Sequence, residues 1–565
     1  MLIPGKSVSQ LSRFFSVLFF LLSFSYSSTA QENYRDTRIS VDFRSISLED
    51  VLNNISEQSG VSFSYNPRKI LGDQKITYKA SENTIAEIID ALSLIASFDY
   101  ETVEGKIILK PKEKSAEQLK ATLSGFIKDS SNGEALIGAS VWVEELKVGT
   151  TSNVFGFYSL TIPSGKYDVT FSYIGFNREV TNIDLQTSQS HNTSLQVAPA
   201  LLKEITVTSI EPQLANEIQV SKTNLRPATI SEKPSFFGEP DAVKSLEIVP
   251  GVKMHSDGST FYYVRGGDRD QNMILMDDAP IFNPSHLLGL FSTIIPDAVN
   301  GITLYKGSMP ASLGGRLSSI MDVRTRKGND QQFEISGNMA LLSSKLSLEG
   351  PIKKGKSSFL LSSRVSRVKW IFEQFNDDIK NFQFHDLTGK VNFDFNQQNK
   401  LYFSFYNGGD KFLTSNNGIA WSNRATTVRW NHVFSERLFL NTTLAGGVYD
   451  YFLHTDRSTQ TQWTSHLSNV NLKGDFSYFI NPNEEFDFGL SIGGYNFNPG
   501  NVSRNGNTIP PVVSVKNSSE FVLYGNHEIR LSNHWGLNYG LRISTWTNEG
   551  EAFEFVFDDN HNPVD

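Results

Sequence analysis

The sequence predicts a mainly β protein whose C-terminal part is an antiparallel β-barrel of the membrane-crossing kind. Three observations carry this. About ten stretches between Phe333 and Thr547 alternate apolar and polar residues, an export signal opens the chain, and no segment offers the roughly 20 apolar residues of a transmembrane helix. The alternation is clearest at the end: Trp535, Leu537, Tyr539, Leu541 and Ile543 point one way, and Gly536, Asn538, Gly540, Arg542 and Ser544 the other. One face suits lipid and the other water. Val391, Phe393 and Phe395 against Asn392, Asp394 and Asn396 repeat the pattern, as do Phe521, Leu523 and Ile529 against Tyr524, Asn526, Glu528 and Arg530. A soluble β-sandwich alternates equally well. Strands of about ten residues or more, longer than the usual soluble strand, weigh against it.

At the N-terminus, Lys6 and Arg13 precede an apolar run from Phe14 to Phe24, and Ser28-Thr29-Ala30 supplies a small-residue cleavage site. Residues 1–30 therefore read as a secretory signal peptide. The 565 residues leave room for several domains, and a net charge of -9 with pI near 5.7 argues against a nucleic-acid partner, because phosphate would be repelled. With Cys 0 there is neither a disulfide framework nor a thiolate metal site.

Residues 36–111 change period. Val41-Asp42-Phe43 reads as a strand, and Ser47 caps a helix in which Leu48, Val51, Leu52 and Ile55 form one stripe, ending at Gly60. Val61 to Tyr65 and Ile76 to Lys79 read as strands, Thr84 and Glu87 open a second helix through Ile88, Ile89 and Leu92, and Tyr100 to Leu109 folds as a hairpin about Glu104-Gly105. This is a small α/β domain. With Phe43-Arg44-Ser45-Ile46-Ser47-Leu48 and Asp90-Ala91-Leu92 it resembles the secretin and TonB short N-terminal domain, a periplasmic interaction module.

After a charged linker, Lys112 to Gln118, residues 122–198 alternate short strands with turns: Ser124-Gly125-Phe126-Ile127-Lys128-Asp129, Gly138-Ala139-Ser140-Val141, Gly156-Phe157-Tyr158-Ser159-Leu160 and Tyr173-Ile174-Gly175-Phe176. They resemble the carboxypeptidase regulatory-like domain, a small β-sandwich without catalytic residues, read here as a rigid periplasmic spacer. Residues 199–229 form a polar linker. Within it Glu204-Ile205-Thr206-Val207-Thr208 is β-prone and able to add itself to a partner's sheet edge. It resembles a TonB box, although a last sandwich strand has the same pattern.

Residues 230–328 carry Gly238-Glu239-Pro240-Asp241, Val249-Pro250-Gly251-Val252, Tyr263-Val264-Arg265-Gly266-Gly267, Ile274-Leu275-Met276-Asp277-Asp278-Ala279-Pro280, Tyr305-Lys306-Gly307, Gly314-Gly315-Arg316 and Met321-Asp322-Val323. In this order they resemble the plug of a TonB-dependent outer-membrane receptor. The whole chain is similar to the Bacteroidetes-type receptors, in which the small α/β domain and the β-sandwich precede the plug and an outer-membrane barrel, here residues 332–565. Glycine pairs Gly266-Gly267 and Gly314-Gly315 permit sharp reversals and a close fit inside a lumen. Arg265 and Arg316 suit bidentate pairing with wall carboxylates, for which Glu334, Glu349 and Glu528 are candidates. The alternative for either arginine is a solvated loop. Asp277 and Asp278 either shape a turn after the Ile274 to Met276 strand or face the substrate path, and the turn is the favoured reading.

Gly350-Pro351-Ile352-Lys353-Lys354-Gly355-Lys356-Ser357 matches a phosphate-binding loop letter for letter, but strand-like segments on both sides make it a basic hairpin turn. Neither a His-Glu-x-x-His helix nor a Gly-x-Ser-x-Gly elbow is expected, so no enzyme site, cofactor or metal centre is predicted. Hairpins near 353–356, 396–400, 435–437, 481–485 and 532–534 give about ten strands, whereas the resemblance implies about 22. The expectation is that the barrel is incomplete and the chain an N-terminal fragment of a longer receptor. By resemblance the partners are a periplasmic TonB-type energy-transducing protein, an anti-sigma factor at the N-terminal domain, outer-membrane lipid and a surface lipoprotein. The substrate is an iron chelate, cobalamin, glycan or peptide. A signalling receptor and a passive structural or adhesive barrel are the alternatives. Trp421 and Trp463 are expected in outer loops, as sugar platforms or interface anchors.

Overall fold

The computed structural model describes residues 37–66, 70, 74–103, 106–111, 119–198, 221–225, 230, 239–256, 258–372, 374, 378–456, 460–509, 513–532, 535–550, 556–558 and 563–564. The expected signal peptide, the charged linker and Glu204 to Thr208 lie outside the described residues. The chain divides into two units between Gln118 and Leu119.

In the first unit the caps decide where the helices start. The elements run β1 (Arg38–Ser47), α1 (Leu48–Ser59), β2 (Ser62–Ser64), β3 (Lys75–Thr84), α2 (Ile85–Ala96), β4 (Phe98–Val103) and β5 (Lys106–Pro111). The Ser47 hydroxyl accepts the Asp50 N–H, and Gly60 ends α1 with φ 73. Thr84 and Glu87 close a reciprocal capping box on α2. The stripes Leu48, Val51, Leu52, Ile55 and Ile88, Ile89, Leu92 meet in one core. Strand β1 pairs antiparallel with β3, and β5 lies between β2 and β4.

The second unit begins with a sandwich of β6 (Lys120–Asp129), β7 (Ser140–Val143), β8 (Val148–Thr151), β9 (Phe157–Pro163), β10 (Gly165–Ser172), β11 (Glu179–Leu185), β12 (Gln189–Ser190) and β13 (Thr193–Leu195). One sheet runs β11-β10-β7-β8; in the other, β6 binds β12, β13 and β9. Leu123, Ile127, Val141, Tyr158, Leu160 and Phe171 fill the space between them. A two-layer sandwich should expose one face of each strand. Strands β6 and β9 are instead buried at nearly every position, so their outer face has a partner as well.

Next come β14 (Lys222–Leu225), β15 (Val252–Met254), β16 (Tyr262–Val264), β17 (Asn272–Met276), β18 (Ala279–Ile281), β19 (Ser285–His286), β20 (Phe291–Ser292), β21 (Val299–Tyr305) and β22 (Ser319–Thr325). A sheet of order β14-β21-β22-β17-β18 encloses Ile274, Ile302, Leu304, Met321 and Val323. Strand β14 falls where the sequence predicts linker. Four residues with polar neighbours give no alternation to read, and the edge of β21 supplies the order.

The remaining strands are β23 (Glu334–Met339), β24 (Ser343–Lys353), β25 (Ser357–Ser366), β26 (Ile379–Asp394), β27 (Asn399–Thr414), β28 (Gly418–Ser435), β29 (Leu438–Asp456), β30 (Thr461–Asn481), β31 (Glu484–Arg504), β32 (Asn507–Thr508), β33 (Lys516–Arg530) and β34 (Gly536–Glu549). They form one antiparallel 12-stranded sheet whose path runs from β23 to β34, with β32 paired only to β31. The two strands beyond the expected ten or so include the two-residue β32. Leu444, Leu472, Ile492 and Phe521 stand directly across one another on four strands and remain 43–51% exposed, a row that faces lipid. Near the turns at 435–438 and 481–484, Trp430, His432, Phe434, Phe476, Phe488, Phe486, His527 and Tyr539 form an unbroken ring-to-ring chain, with neighbouring centroids 4.4–6.4 Å apart. That is an interfacial aromatic belt. No helix among the described residues is long and apolar enough to cross a membrane. Strands β28 to β31 have 18, 19, 21 and 21 residues, against the ~10 that cross a bilayer, so their far ends stand clear of the lipid.

Candidate functional site

On the face opposite the lipid, alternate wall residues meet the sheet of β14 to β22. Two adjoining clusters of buried charge hold the junction. In the first, the reversal after β17 places Asp277 and Asp278 in the left-handed region, at φ 49 and 74, with both carboxylates turned to the wall. Asp277 accepts from Lys390 on β26 at 3.1 Å, and Asp278 from Arg429 on β28 at 2.6 Å. From its own domain Asp278 takes Arg324 bidentately at 2.9 and 2.9 Å, and Asp277 takes the Thr325 N–H at 3.2 Å. Burial alone would raise the Asp277 carboxyl; Lys390, Arg429, Thr325 and Arg324 outweigh it and pull it down to about 2.

In the second cluster, His286 is 1% exposed and lies between two wall carboxylates: Nε2 is 2.7 Å from Asp386 and Nδ1 is 3.2 Å from Asp410. Its ring stacks on Phe384 at 4.7 Å. Asp386 also binds the Tyr406 hydroxyl at 2.7 Å and Arg364 at 2.6 Å, and Arg364 reaches back to Glu239 at 2.9 Å. Every buried charge here has an opposite one in contact, which offsets its loss of water. Arg326–Glu349 at 2.9 Å and Lys345–Asp297 at 2.8 Å extend the seam.

The β-sandwich reaches the same wall. Glu134 accepts the N–H groups of Lys327 and Gly328 at 2.5 and 3.1 Å, Lys128 pairs with Asp394 at 2.8 Å, and the Ser159 hydroxyl donates to the Glu436 carbonyl at 2.6 Å. The expected spacer is therefore docked, and this is what covers β6 and β9.

The structure separates the residues singled out in the sequence. Arg265 and Arg316 do not pair with wall carboxylates among the described residues. Arg265 donates to the Ser221 hydroxyl at 2.6 Å and Arg316 to the Gly315 carbonyl at 2.8 Å, both in exposed settings. The three proposed partners go elsewhere: Glu349 binds Arg326, Glu334 accepts from Asn329 and Glu528 from Asn538. The wall contacts run in both polarities: Glu239, Asp277 and Asp278 meet Arg364, Lys390 and Arg429, while Arg326 meets Glu349, one of the three expected wall carboxylates, and His286 meets Asp386 and Asp410. Gly266 and Gly315 sit at φ 84 and 83, where a side chain would be strained. A Cβ on Gly267 would run into Ser318, and one on Gly314 would come 2.8 Å from the Arg542 side chain, so Gly314 is where a wall arginine passes close. Trp421 is on β28 rather than in a loop, buried, its indole N–H 3.3 Å from the Ser285 carbonyl.

Gly350 to Ser357 is the β24–β25 hairpin, with the Lys356 N–H donating to the Lys353 carbonyl at 2.9 Å and no helix behind it. The letters of a nucleophile elbow do occur, at Gly489-Leu490-Ser491-Ile492-Gly493, in the middle of β31. An elbow needs a strand-to-helix turn, and an unbroken strand has none. No group of His, Cys, Asp and Glu among the described residues could hold a metal ion.

Three family models match the chain: the FecR C-terminal domain over residues 40–109, the CarboxypepD_reg-like domain over 123–207 and the TonB-dependent receptor plug domain over 232–319. The curated TonB-dependent receptor P3 of Formosa agariphila is 27% identical over 211 residues, 37% of this chain and 21% of that receptor's length. Among solved structures, FpvA of P. aeruginosa in complex with a heterologous pyoverdine and iron aligns with 91% of this chain and 66% of its own at 13% identity, TM-score 0.46. The siderophore receptor PirA of Acinetobacter baumannii aligns with 58% of this chain and 57% of its own at 13% identity, TM-score 0.45. The chain thus spans less than two thirds of the length of each.

Proposed function

From a chain that carries the plug domain of the TonB-dependent receptors, and so belongs among them, we propose an outer-membrane receptor for energised uptake of a scarce, large nutrient. The observation that supports this reading is the plug itself, matched by its family model and seated against a lipid-faced wall through buried ion pairs. An outer membrane holds no nucleotide supply, so the force comes from a periplasmic TonB-type partner acting on Glu204 to Thr208. An iron chelate, cobalamin, a glycan or a peptide are the candidate cargoes, and a surface lipoprotein is a candidate helper.

Ile205→Pro removes a strand donor from that segment and leaves the sequence of residues 230–328 unchanged. Growth on the limiting nutrient is expected to fall to the level of a deletion strain while surface binding persists. Unchanged growth would leave a passive structural or adhesive barrel as the better account. A second reading, occupancy signalling to a periplasmic anti-sigma factor, is favoured by one observation, the match of residues 40–109 to the FecR C-terminal domain.

A further inference from the structure

Three aromatic rings of the β-sandwich are set inside the mouth of the wall. Phe126 comes from β6, Phe155 from the turn before β9 and Phe157 from β9. Phe157 stacks on Phe439 of β29 at 5.2 Å and meets Phe479 of β30 at 5.9 Å, while Phe155 stacks on Phe439 at 5.5 Å. Lys400 of β27 lies over the Phe126 ring at 3.0 Å, and Arg429 of β28 lies 5.4 Å from the Phe155 ring.

Strand parity puts these wall partners on the lumen side. Phe439 shares its face with Ala445, which packs in the plug core, and Lys400 shares its face with Tyr406, which binds Asp386 beneath His286. Arg429 joins the two tenants of the lumen, because the guanidinium that holds Asp278 of the plug also contacts Phe155 of the sandwich. Around the rings the docking is closed by Glu134, 7% exposed, on the Lys327–Gly328 backbone and by the Asp330 N–H on the Asn132 carbonyl at 3.0 Å. A methyl group on Gly133 would strike the Asp330 carboxylate, so the fit leaves no spare room there. Residues 326–333 are the connector between the last plug strand and the first wall strand.

We propose that the β-sandwich is a second stopper: the Phe126, Phe155 and Phe157 wedge fills the periplasmic mouth beneath the plug and must withdraw before the plug can leave. Buried aromatic rings and two charge-supported contacts make the wedge stable at rest, and the sandwich's own core, separate from the wedge, lets it undock as a rigid body. The direction of plug exit rests on the receptor reading above; the docking does not.

The chain has no cysteine, and the Ser159 side chain touches the Glu436 backbone, so Ser159→Cys with Glu436→Cys puts a single thiol pair at that contact, to be bridged by oxidation and opened by reduction in one and the same folded protein. In the full chain, peptide tags inserted after Thr208 and in the 415–417 turn take the handles for single-molecule pulling. Oxidation is expected to form the bridge on a non-reducing gel and to abolish plug extraction within the force range at which the reduced protein yields. Phe126→Ser with Phe157→Ser is expected to lower the extraction force of the reduced protein. Equal extraction forces in the bridged and the reduced protein overturn the proposal. Neither result depends on a cargo, whereas failure of the receptor reading appears separately as normal growth of the Ile205→Pro strain.

Discussion

His286 is the side chain whose protonation the junction depends on most. Burial alone would keep its imidazole neutral, but Asp386 and Asp410 on either side raise it to about 9, with Arg364, Tyr406 and Glu239 completing the surroundings. A base held above its ordinary value adds stability that is fully present below about 6.5 and is lost as the pH rises through about 9. Plug seating is therefore expected to weaken across that window. Protease release of the plug between pH 6 and pH 10 measures it, and His286→Asn is expected to remove most of the dependence. Little of this junction could be read from the chain. Asp277 and Asp278 announce a turn, but Lys390 and Arg429 occupy lumen-facing positions where a strand pattern records only polar. Nothing in that pattern distinguishes a cation in water from one against a carboxylate. Arg265 and Arg316 drew attention as guanidiniums suited to wall carboxylates, and both donate instead within their own neighbourhood, to Ser221 and Gly315.

Among the elements, the wall strands were the most legible, because lipid requires the same apolar character at every second position for the full height of the bilayer. Leu541 lies in that band on β34, 67% exposed in the sheet, and its neighbour Ser544 faces the other way. Leu541→Arg is expected to cost about 2–4 kcal/mol and Ser544→Arg much less, read as the midpoint shift in urea-driven unfolding from lipid vesicles. Caps and amphipathic stripes made α1 and α2 equally readable. Two elements escaped. Strand β14 is too short and polar to carry a period, and the phenylalanines of β6 and the β9 turn gave only a burial preference, which a sandwich core satisfies as well as a neighbouring wall does. The partner that buries a ring is a tertiary fact, fixed for Phe157 by Phe439 and Phe479, far away in the chain.

For the molecule as a whole, the division at Gln118 separates a small domain with its own core from the unit that holds sandwich, plug and wall together. Deleting residues 37–111 is expected to abolish nutrient-induced transcription and leave uptake intact, measured with a reporter fusion beside a growth assay. Equal loss of both would reject the relay. Domain order was legible because each module carries its own periodicity and turn chemistry; the docking of one module on another was not. The start of the plug has its own consequence. Among the described residues strand β14 pairs with β21 at four positions, Lys222 with Tyr305 through Leu225 with Ile302, and Ser221 just ahead of it is held by the Arg265 side chain and the Lys306 N–H. Under the proposed pull on Glu204 to Thr208, β14 is the first described strand of the plug in chain order, and a load on its leading end works on one rung at a time, as a seam is unpicked from its loose end. Dismantling the closure therefore begins at its weakest stitch, and the deep salt-bridged centre is spared until the hem has gone.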